Sequence, residues 1–315
     1  MLTCIILTFN ESKHLRRCIE SLQPVCSRIV VIDSYSTDDT CEITRSLSAE
    51  FLQNKWTNNY AAQLNWGIEH ANVQTPWTLR MDADEYLTPE LQREILEKLP
   101  SLGPNVGGII LPRRVVFKGK TIHHGGFYPQ WLLRIWRTGT GHCEERMMDE
   151  HMVVSSGSVV KFRHDLVDEN LNDIHWWTIK HNNYARREAA DLLNIEFGLF
   201  RKDDFGDGEG NVQANRKRWI KENIYSKLPL GVRPAIYFLY RFVGLCGFLD
   251  HPRVWIFHFL QGFWYRLLVD INVWEFKKEV GNENLQAKGD YLRKKWGISM
   301  LTNNQSTQES TFLLP

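Results

Sequence analysis

Two carboxylates, Asp82 and Asp84, stand two residues apart, directly after the short apolar run 77–81. That run has the character of a buried strand, so both carboxylates can lie on one side of the turn that follows it. Carboxylate oxygens are hard ligands that suit Mg²⁺ or Mn²⁺, and such an ion can hold a diphosphate. Because an Asp-x-Asp pair also occurs by chance, its place in the chain has to decide its meaning.

Two further polar clusters follow earlier apolar runs. Residues 8–11 follow the run 4–7, and residues 33–38 follow the run 29–32. Strands alternate with helical patterns over the first hundred residues, which predicts a mainly parallel sheet with helices on both faces. Ligands of such open sheets bind beyond the carboxyl ends of the strands. The three clusters therefore predict one shared cleft.

Four helices are predicted between and after these strands. Apolar residues at helical spacing place them, and the pattern at 36–39 resembles a capping box that opens the second helix. Thr88 followed by Pro89 is a strong start for the fourth. The apolar positions that mark the first, third and fourth helices are Leu15, Cys18, Ile19, Leu22, Leu64, Ile68, Ala71, Leu91, Ile95 and Leu99.

The remainder of the chain divides into three parts. Apolar runs at 109–111, 115–117, 131–133 and 159–160 predict a mixed sheet, and from about residue 176 the pattern is helical. The tail is rich in Asn, Gln, Ser and Thr, which predicts disorder. The predicted units are an α/β domain at 1–165 with halves at 1–100 and 101–165, a helical extension at 166–300 and a disordered tail at 301–315.

Composition excludes several classes of protein. A net charge of +1 argues against broad nucleic-acid binding, which needs a strongly basic face. Six scattered cysteines without a Cys-x-x-Cys pair indicate reduced, cytosolic thiols rather than a disulfide framework or zinc site. We expect no signal peptide, because a core strand is predicted from Leu2, and no transmembrane helix, because no clean run of about 18 apolar residues occurs.

Three ordered motifs resemble those of the family 2 glycosyltransferases, which have the Rossmann-like GT-A fold. They are Ile-Leu-Thr-Phe-Asn-Glu at 6–11, Val-Ile-Asp-Ser-Tyr-Ser-Thr-Asp-Asp-Thr at 31–40 and Asp-Ala-Asp-Glu-Tyr at 82–86. The resemblance covers residues 1 to about 165 and is nearest to bacterial enzymes of lipopolysaccharide-core and exopolysaccharide assembly. It implies a hexosyltransferase with a nucleotide-sugar donor (UDP-linked), a divalent metal and inversion at the anomeric centre.

The resemblance also implies roles for individual residues. Asp84 would coordinate the metal, and Asp82 would face the ribose or a metal-bound water. Gln63 stands where many relatives carry a basic residue, so a diphosphate contact there lacks its usual charge. The nucleotide pocket implied in this way consists of Thr8, Asn10, Glu11, Asp33, Ser36, Asp38, Gln63, Asn65 and Asp82.

Sugar transfer also needs a group that accepts the proton of the acceptor hydroxyl, because a metal only stabilises the leaving diphosphate. Family 2 enzymes commonly carry an acidic residue in the later part of the domain, and here the acidic run 144–150 supplies candidates. Glu150 and Asp149 are the predicted catalytic bases, with Glu150 slightly favoured because it precedes a strand as in the subgroup. A solvated acidic loop is the structural alternative.

Basic residues outside the motifs each have two interpretations. His164 could be a third metal ligand, as a late histidine is in some GT-A enzymes, or a histidine packed near the sheet edge. Arg134 alternates with apolar residues on a strand, so it either faces solvent or contacts phosphate. Lys180, Tyr184 and Arg187 share one helix face, which either approaches a diphosphate or packs on the protein.

The helical region 235–275 mixes many aromatic residues with arginines. This pattern suits helices that lie in a bilayer interface, and a buried helical subdomain or a dimer interface is the alternative. We expect a cytoplasmic protein, peripheral on the inner face of the membrane, that acts on a glycan or a lipid-linked acceptor.

Two other functional classes stay open from the residues alone. A nucleotidyltransferase can share a doubly wound sheet and an acidic metal site, but it usually has a glycine-rich basic loop after the first strand, which residues 8–11 lack. A non-catalytic nucleotide-sugar-binding, membrane-associated protein is the second class, and the intact pair Asp82 and Asp84 argues against it.

Overall fold

The computed structural model of the chain describes residues 1–57, 59–144, 151–199 and 225–298. Its strands are β1 Leu2–Thr8, β2 Arg28–Asp33, β3 Glu50–Gln53, β4 Trp77–Asp82, β5 Glu85–Leu87, β6 Val106–Phe117, β7 Lys120–Thr121, β8 Gln130–Arg137, β9 Gly141–Cys143, β10 Met152–Val154, β11 Ser158–Lys161 and β12 Leu166–Glu169. Its α-helices are α1 Ser12–Leu22, α2 Thr40–Ser46, α3 Tyr60–His70, α4 Pro89–Lys98, α5 Ile174–Phe197, α6 Val232–Leu239, α7 Pro252–Phe259, α8 Tyr265–Val280 and α9 Leu285–Trp296.

One large sheet organises the first half of the chain, in the order β3-β2-β1-β4-β8-β6-β12-β5. The pairs β3–β2, β2–β1 and β1–β4 are parallel. Strand β8 runs antiparallel to both β4 and β6, and β12 runs parallel to β6 but antiparallel to β5. The predicted mainly parallel α/β sheet is therefore confirmed, and the carboxyl ends of β1, β2 and β4 meet at one edge.

Different helices cover the two faces of this sheet. One buried cluster joins Leu15 of α1 and Leu91 of α4 to Ile6 of β1. A second cluster joins Leu64 of α3 to Ile5 of the same strand. Because successive side chains of a strand point to opposite faces, Ile5 and Ile6 anchor helices on opposite sides. The helices predicted from apolar spacing thus form and pack as expected.

The sheet extends beyond the boundary that the sequence predicts at residue 165. The runs 109–111 and 115–117, predicted as separate strands, belong to the single strand β6. Strand β12 lies between β6 and β5, with Leu166 and Val167 fully buried. Its apolar part is only two residues long and is flanked by carboxylates, so the strand has no clear periodic signal in the sequence.

The helical extension has its own core. Ala185, Ala189 and Leu193 of α5 share a buried cluster with Val273 and Phe276 of α8. Helices α7 and α8 are joined by a π-helical segment at Leu260–Trp264, and a second π-helical segment at Tyr240–Gly244 follows α6. No helix in the described residues is long and apolar enough to cross a membrane. The tail 301–315, predicted to be disordered, lies outside the described residues.

A buried carboxylate joins this extension to the sheet domain. Asp250 accepts hydrogen bonds from the backbone N–H groups of His123 (3.0 Å) and His124 (3.2 Å). Its second oxygen lies 2.9 Å from Nε2 of His258 on α7. Phe257, the residue before His258, packs against Phe117 at the end of β6. The extension is therefore fastened to the loop that connects β7 with β8.

Glu94 on α4 is a buried carboxylate that binds the chain near the edge of the sheet. Its side chain is 3% exposed and accepts hydrogen bonds from the backbone N–H groups of Arg163 and His164 and from Lys98. Burial raises its pKa, but these hydrogen bonds outweigh burial and lower the pKa to about 2. The stabilisation is present above the unfolded-state pKa and is lost as the pH falls from about 4.5 to about 2.

We expect Glu94→Gln to lower the free energy of unfolding by about 2 kcal/mol at pH 7 and to flatten its decline at low pH. Urea denaturation at pH 7, 5 and 3 measures this difference. The matched control is Glu97→Gln, an exposed position on the same helix, which should change little. Equal losses for the two variants at pH 7 would contradict the assigned role of Glu94.

Candidate functional site

Asp33, fully buried at the carboxyl end of β2, organises the first wall of the cleft. Its Oδ1 accepts hydrogen bonds from the hydroxyls of Thr8 (3.0 Å) and Ser36. Its Oδ2 accepts the backbone N–H of Ser36 at 2.8 Å. The ends of β1 and β2 are thereby held together, so the structure brings three predicted pocket residues into direct contact.

Asn10 extends the same wall. Its backbone adopts a left-handed conformation with φ of 55°. The backbone N–H of Asn10 donates to the Ser36 hydroxyl at 2.7 Å, and its side-chain oxygen accepts the N–H of Thr37 at 2.8 Å. Asparagine tolerates this conformation better than most residues, which explains the residue type at this turn.

Asp38 has a different role from the one its spacing predicts. Helix α2 begins at Thr40 without a side-chain cap, so the predicted capping box is not formed. Asp38 instead accepts hydrogen bonds from the Thr40 hydroxyl (2.5 Å) and from the backbone N–H groups of Ser12 (3.0 Å) and Thr40 (3.1 Å). Burial raises its pKa, but these hydrogen bonds, that of the Thr40 hydroxyl first, hold the pKa below its usual value. Beside it, the N–H of Glu11 donates to the Thr40 hydroxyl at 3.0 Å. Asp38 thus bridges the starts of α1 and α2.

Gln63 and Asn65 make structural contacts in this region. Gln63 is buried, donates to the Ser34 hydroxyl at 3.1 Å, and accepts from Asn54 Nδ2 at 2.8 Å. The Asn65 amide forms paired hydrogen bonds with the backbone N–H and carbonyl of Cys143, at 2.8 and 2.9 Å. These contacts position neighbouring segments of the chain, and the nucleotide-binding role of both residues stays a prediction.

Asp82 lies among cations at the end of β4. Its carboxylate accepts a hydrogen bond of 2.6 Å from the Tyr60 hydroxyl and pairs with Arg80 (3.2 Å) and Arg134 (3.4 Å). Burial raises its pKa, but the two guanidinium groups hold that pKa well below its usual range. Asp82 is therefore ionised and fixed in orientation by the protein.

Asp84, two residues further on, has a much lighter set of partners. Among the described residues, its carboxylate accepts one side-chain hydrogen bond, from Asn170 Nδ2 at 3.0 Å. Burial and then the charge of Asp84 raise the pKa of Asp168 to about 6, so these two carboxylates lie within each other's field. Burial lowers the pKa of Lys180, and the fields of Tyr184, Asp84 and other acidic groups outweigh this and raise it.

Arg134 corrects an expectation from the sequence. Its side chain is 1% exposed, so it does not face solvent. It forms a short ion pair with the equally buried Glu85, whose other oxygen accepts the backbone N–H of Asp82 at 2.9 Å. Burial raises the pKa of Glu85, and the Arg134 guanidinium opposes that rise. The acidic cleft therefore rests on a buried guanidinium.

Three residues of this site were missed from the sequence. Asp168 pairs with Arg113 at 3.3 Å, and Glu169 pairs with Arg17 at 2.6 Å, while Asn170 holds Asp84. They follow one another at the end of β12, which the sequence pattern does not reveal as a strand. A carboxylate-rich end after a short apolar pair, the feature that identifies Asp82 and Asp84, could have found them.

His164 is not brought to the acidic pair. Its Nδ1 lies 2.9 Å from Glu94, and its backbone N–H donates to the same carboxylate. The backbone contact between Glu169 and Asp84 lies five residues further along the chain, on the order of 15 Å away in extended conformation. His164 thus packs near the sheet edge, the alternative interpretation of that residue. Asp149 and Glu150, the predicted bases, lie outside the described residues.

The described residues contain no group of three or more His, Cys, Asp or Glu side chains that could hold a metal ion. Mg²⁺ in phosphate-transfer sites usually keeps several waters and takes only one or two protein carboxylates, with the substrate phosphates completing its shell. Asp84 and Asp168 match this sparse arrangement. The arginines beside Asp82 and the electrostatically coupled side chains of Asp84, Asp168 and Lys180 can together hold a charged phosphate ligand.

Comparison with known proteins gives a family match. The model of the family described as "Glycosyl transferase family 2" matches residues 3–188. The lipopolysaccharide core biosynthesis glycosyltransferase LpsC of Rhizobium meliloti is 30% identical over 201 residues, which cover 60% of this chain and 70% of that protein. The SPbeta prophage-derived glycosyltransferase SunS of Bacillus subtilis is 35% identical over 96 residues, which cover 30% of this chain and only 22% of SunS.

Solved structures are similar at low sequence identity. Staphylococcus aureus TarS 1–349 in complex with UDP is 13% identical with a TM-score of 0.43, over 89% of this chain and 91% of that chain. Glucosyl-3-phosphoglycerate synthase of Mycobacterium tuberculosis, with Mn²⁺, UDP and glucosyl-3-phosphoglycerate, is 16% identical with a TM-score of 0.31, over 37% and 44% of the two chains.

We expect Arg134→Gln to lower the free energy of unfolding by about 3–5 kcal/mol, because it leaves the buried Glu85 without its guanidinium partner and Asp82 with Arg80 alone. Urea denaturation measures the loss. The matched control is Arg93→Gln, which removes an exposed arginine of α4 and should stay within about 0.5 kcal/mol of wild type. A loss below about 1 kcal/mol for Arg134→Gln would contradict a supporting role for this ion pair.

Proposed function

The chain belongs to glycosyl transferase family 2 and is a glycosyltransferase, and we propose that it moves a sugar, with inversion, from a UDP-linked donor to a saccharide or lipid-linked acceptor of a bacterial cell surface. The name of LpsC places that relative in lipopolysaccharide core biosynthesis, which supports this class of acceptor. The observation that carries the proposal is the asymmetry of the acidic pair. Protein cations and a tyrosine satisfy Asp82, whereas Asp84 keeps carboxylate oxygens available beside Asp168.

The nucleotide binds at the joined ends of β1 and β2. Asp33 and Asp38 hold Asn10, Ser36 and their loops in one arrangement through hydrogen bonds to backbone N–H groups and hydroxyls. A preorganised loop pair presents polar groups to base and ribose without a further ordering cost on binding. Thr8 and Glu11 complete this wall from the β1 side.

The donor diphosphate lies between the end of β4 and helix α5. A bound Mg²⁺ or Mn²⁺ supplies charge neutralisation for the leaving diphosphate. Asp84 and Asp168 are the residues that would hold it, and Asn170 orients the Asp84 carboxylate. Lys180 faces the same carboxylates and adds a fixed positive charge for the phosphate oxygens.

The proton of the acceptor hydroxyl passes to a carboxylate on the far side of the sugar from the leaving group. Glu150 or Asp149 has this role in the proposal, which for these two residues rests on the sequence and on the family. A nucleotidyltransferase fits less well, because the loop after β1 binds Ser36 and Thr40 through its own backbone and carries no glycine-rich basic segment.

We expect Asp84→Asn to weaken Mn²⁺-dependent UDP binding by at least about tenfold, because the variant removes a charged metal ligand. Isothermal titration with UDP, with and without Mn²⁺, measures this. Glu150→Gln should keep that binding and lose about 10²–10⁴-fold in sugar transfer or donor hydrolysis across a screen of UDP-sugars. Unchanged Mn²⁺-dependent UDP binding in Asp84→Asn would contradict the proposed metal position.

The extension associates with the membrane surface in this proposal. Helix α6 and the segment after it expose apolar side chains at helical spacing, and the following turn and α7 continue this surface. Between Val232 and Arg266 the only acidic residue is Asp250, which is buried. We call this surface the apolar face; it consists of Val232, Ile236, Leu239, Tyr240, Val243, Phe248, Leu249, Trp255, Ile256 and Phe259.

A bilayer interface suits the apolar face better than water does. Apolar and aromatic side chains enter the headgroup boundary, and a surface without acidic groups is not repelled by anionic lipids. The largest apolar patches of soluble monomers usually mark an interaction site. A second copy of the chain is the alternative occupant, and it would show as a dimer in solution.

We expect the double variant Leu239→Glu, Val243→Glu to reduce flotation with phosphatidylcholine–phosphatidylglycerol vesicles by at least about tenfold in partition coefficient, because each apolar side chain contributes about 1.5–3 kcal/mol on burial. Leu96→Glu, an exposed leucine on α4, is the matched control and should float like wild type. Equal flotation of wild type and the double variant, or a dimer that only the double variant loses, would overturn membrane association.

A further inference from the structure

A group of arginine and tyrosine side chains lies inside the helical extension, apart from the acidic cleft. The guanidinium carbons of Arg241 and Arg266 lie 5.5 and 5.3 Å from the ring centroid of Tyr237. Nη1 of Arg241 donates to the Tyr237 hydroxyl at 3.3 Å. We call these three residues, together with Tyr225, the arginine cluster.

The charges of the arginine cluster are not balanced. Arg266 forms a short ion pair with Glu188 of α5. Arg241 is 8% exposed, and its contacts are the carbonyl of Gly125 (2.6 Å from Nε), the Tyr237 hydroxyl and the face of Phe127, 3.7 Å from its guanidinium carbon. Within the described part of the chain no carboxylate lies within ion-pair distance of Arg241. Among the residues that the structure describes, this guanidinium charge is therefore buried without a counter-ion.

Such a burial is costly unless an anion joins it. A buried cation without a partner loses its hydration, and a carbonyl and an aromatic face restore only part of that loss. Burial lowers the pKa of Arg241. Burial raises the pKa of Tyr237, but the fields of Arg241 and Arg266 outweigh this and lower it. Two positive charges thus converge on one phenol.

Unused hydrogen-bond donors lie in the same place. Nε of Arg266 and the hydroxyl of Tyr225 are buried without a hydrogen-bond partner among the residues described. Burial raises the pKa of Tyr225, and the charges of Arg266, Asp270 and Arg233 also act on it. Tyr225 therefore lies beside the cluster. Native proteins rarely leave buried donors unpaired, so these two donors beside a cation with no counter-ion among the described residues indicate a place for an added acceptor. A tetrahedral oxyanion offers several acceptor oxygens at once.

We propose that Arg241, Arg266 and Tyr237 form a binding site for a phosphate group, with Tyr225 as a further donor. The cluster is placed between two features described above. Glu188, the partner of Arg266, lies eight residues along α5 from Lys180, about 12 Å along the helix axis. Leu239 and Val243 of the apolar face flank Arg241 on the same helical segment.

This placement indicates the source of the phosphate. Arg241 lies between two residues of the apolar face in the sequence, and Arg266 is paired through Glu188 with the helix that carries Lys180. The headgroup of an anionic lipid and the phosphate of an acidic acceptor share this chemistry. That the phosphate belongs to the acceptor rests on the proposed function, whereas the binding site itself does not.

Hydrogen exchange of the wild-type chain tests the site without any substitution. In 50 mM inorganic phosphate with EDTA, compared with chloride at equal ionic strength, we expect slower exchange in peptides that contain Tyr225, Tyr237, Arg241 and Arg266. EDTA removes metal, so the Asp84 cleft cannot report through a metal–phosphate complex. Absence of protection in these peptides would overturn the proposal.

Variants then assign the binding to the cluster. Arg241→Gln and Tyr237→Phe should each weaken inorganic phosphate binding, Arg241→Gln by about tenfold. Arg253→Gln, which removes an exposed arginine of α7, should bind phosphate like wild type. Phosphate binding unchanged in folded Arg241→Gln, with native circular dichroism, would overturn the proposal. Tyr237→Phe retains every charge and keeps the test valid if Arg241→Gln does not fold.

Vesicles distinguish the two sources of phosphate. If the ligand is a lipid headgroup, Arg241→Gln should lose the preference of wild type for phosphatidylcholine vesicles containing phosphatidylglycerol over pure phosphatidylcholine. If the ligand is a soluble acceptor, that preference should persist while inorganic phosphate binding is lost. If the wild-type chain binds inorganic phosphate but transfers no sugar, that result would count against the proposed function and leave the phosphate site standing.

Discussion

The ion pair between Arg134 and Glu85 is the interaction on which the cleft depends. Both side chains are buried where the parallel strands of the sheet meet the antiparallel strand β8. Arg134 also reaches Asp82, and Glu85 accepts the backbone N–H of Asp82. Losing either partner of such a pair leaves a buried charge without compensation. The ion pair therefore favours one arrangement of the carboxyl end of strand β4. In that arrangement protein groups occupy the Asp82 carboxylate, and the Asp84 carboxylate can take a ligand.

The same principle acts at two other places in the molecule. At the ends of β1 and β2, the carboxylates of Asp33 and Asp38 satisfy backbone N–H groups and hydroxyls, which makes two loops into one rigid wall. Between sheet and extension, Asp250 satisfies two backbone N–H groups and a buried histidine. Each buried carboxylate in these places has its partners. Arg241 is the contrasting case, a buried cation whose compensation is incomplete within the described residues.

Sequence reasoning succeeded where the signal is local and periodic. Strands such as β1 and β2 are apolar runs, and α1 and α4 show helical spacing with a clear start or end, so these elements and the class of fold were predicted correctly. It failed where a partner far along the chain decides the outcome. Strand β12 has only two apolar residues, and Asp38 accepts hydrogen bonds from the starts of both α1 and α2. Arg134 alternates like a solvent-facing residue, but it is buried in an ion pair with Glu85.

The sequence alone determined the family, the alternation of strands and helices, and the three polar clusters that face one cleft, because each of these is carried by residues close together in the chain. Only the tertiary structure decided which role each polar residue has within its cluster. Asp82 pairs with protein cations, whereas Asp84 accepts a hydrogen bond from Asn170, which follows the distant strand β12 that also carries Asp168. His164 contacts Glu94 and not the acidic pair. The physical reason is that the field and hydrogen bonds at a carboxylate come from whatever packs against it, and packing joins residues that the sequence keeps apart.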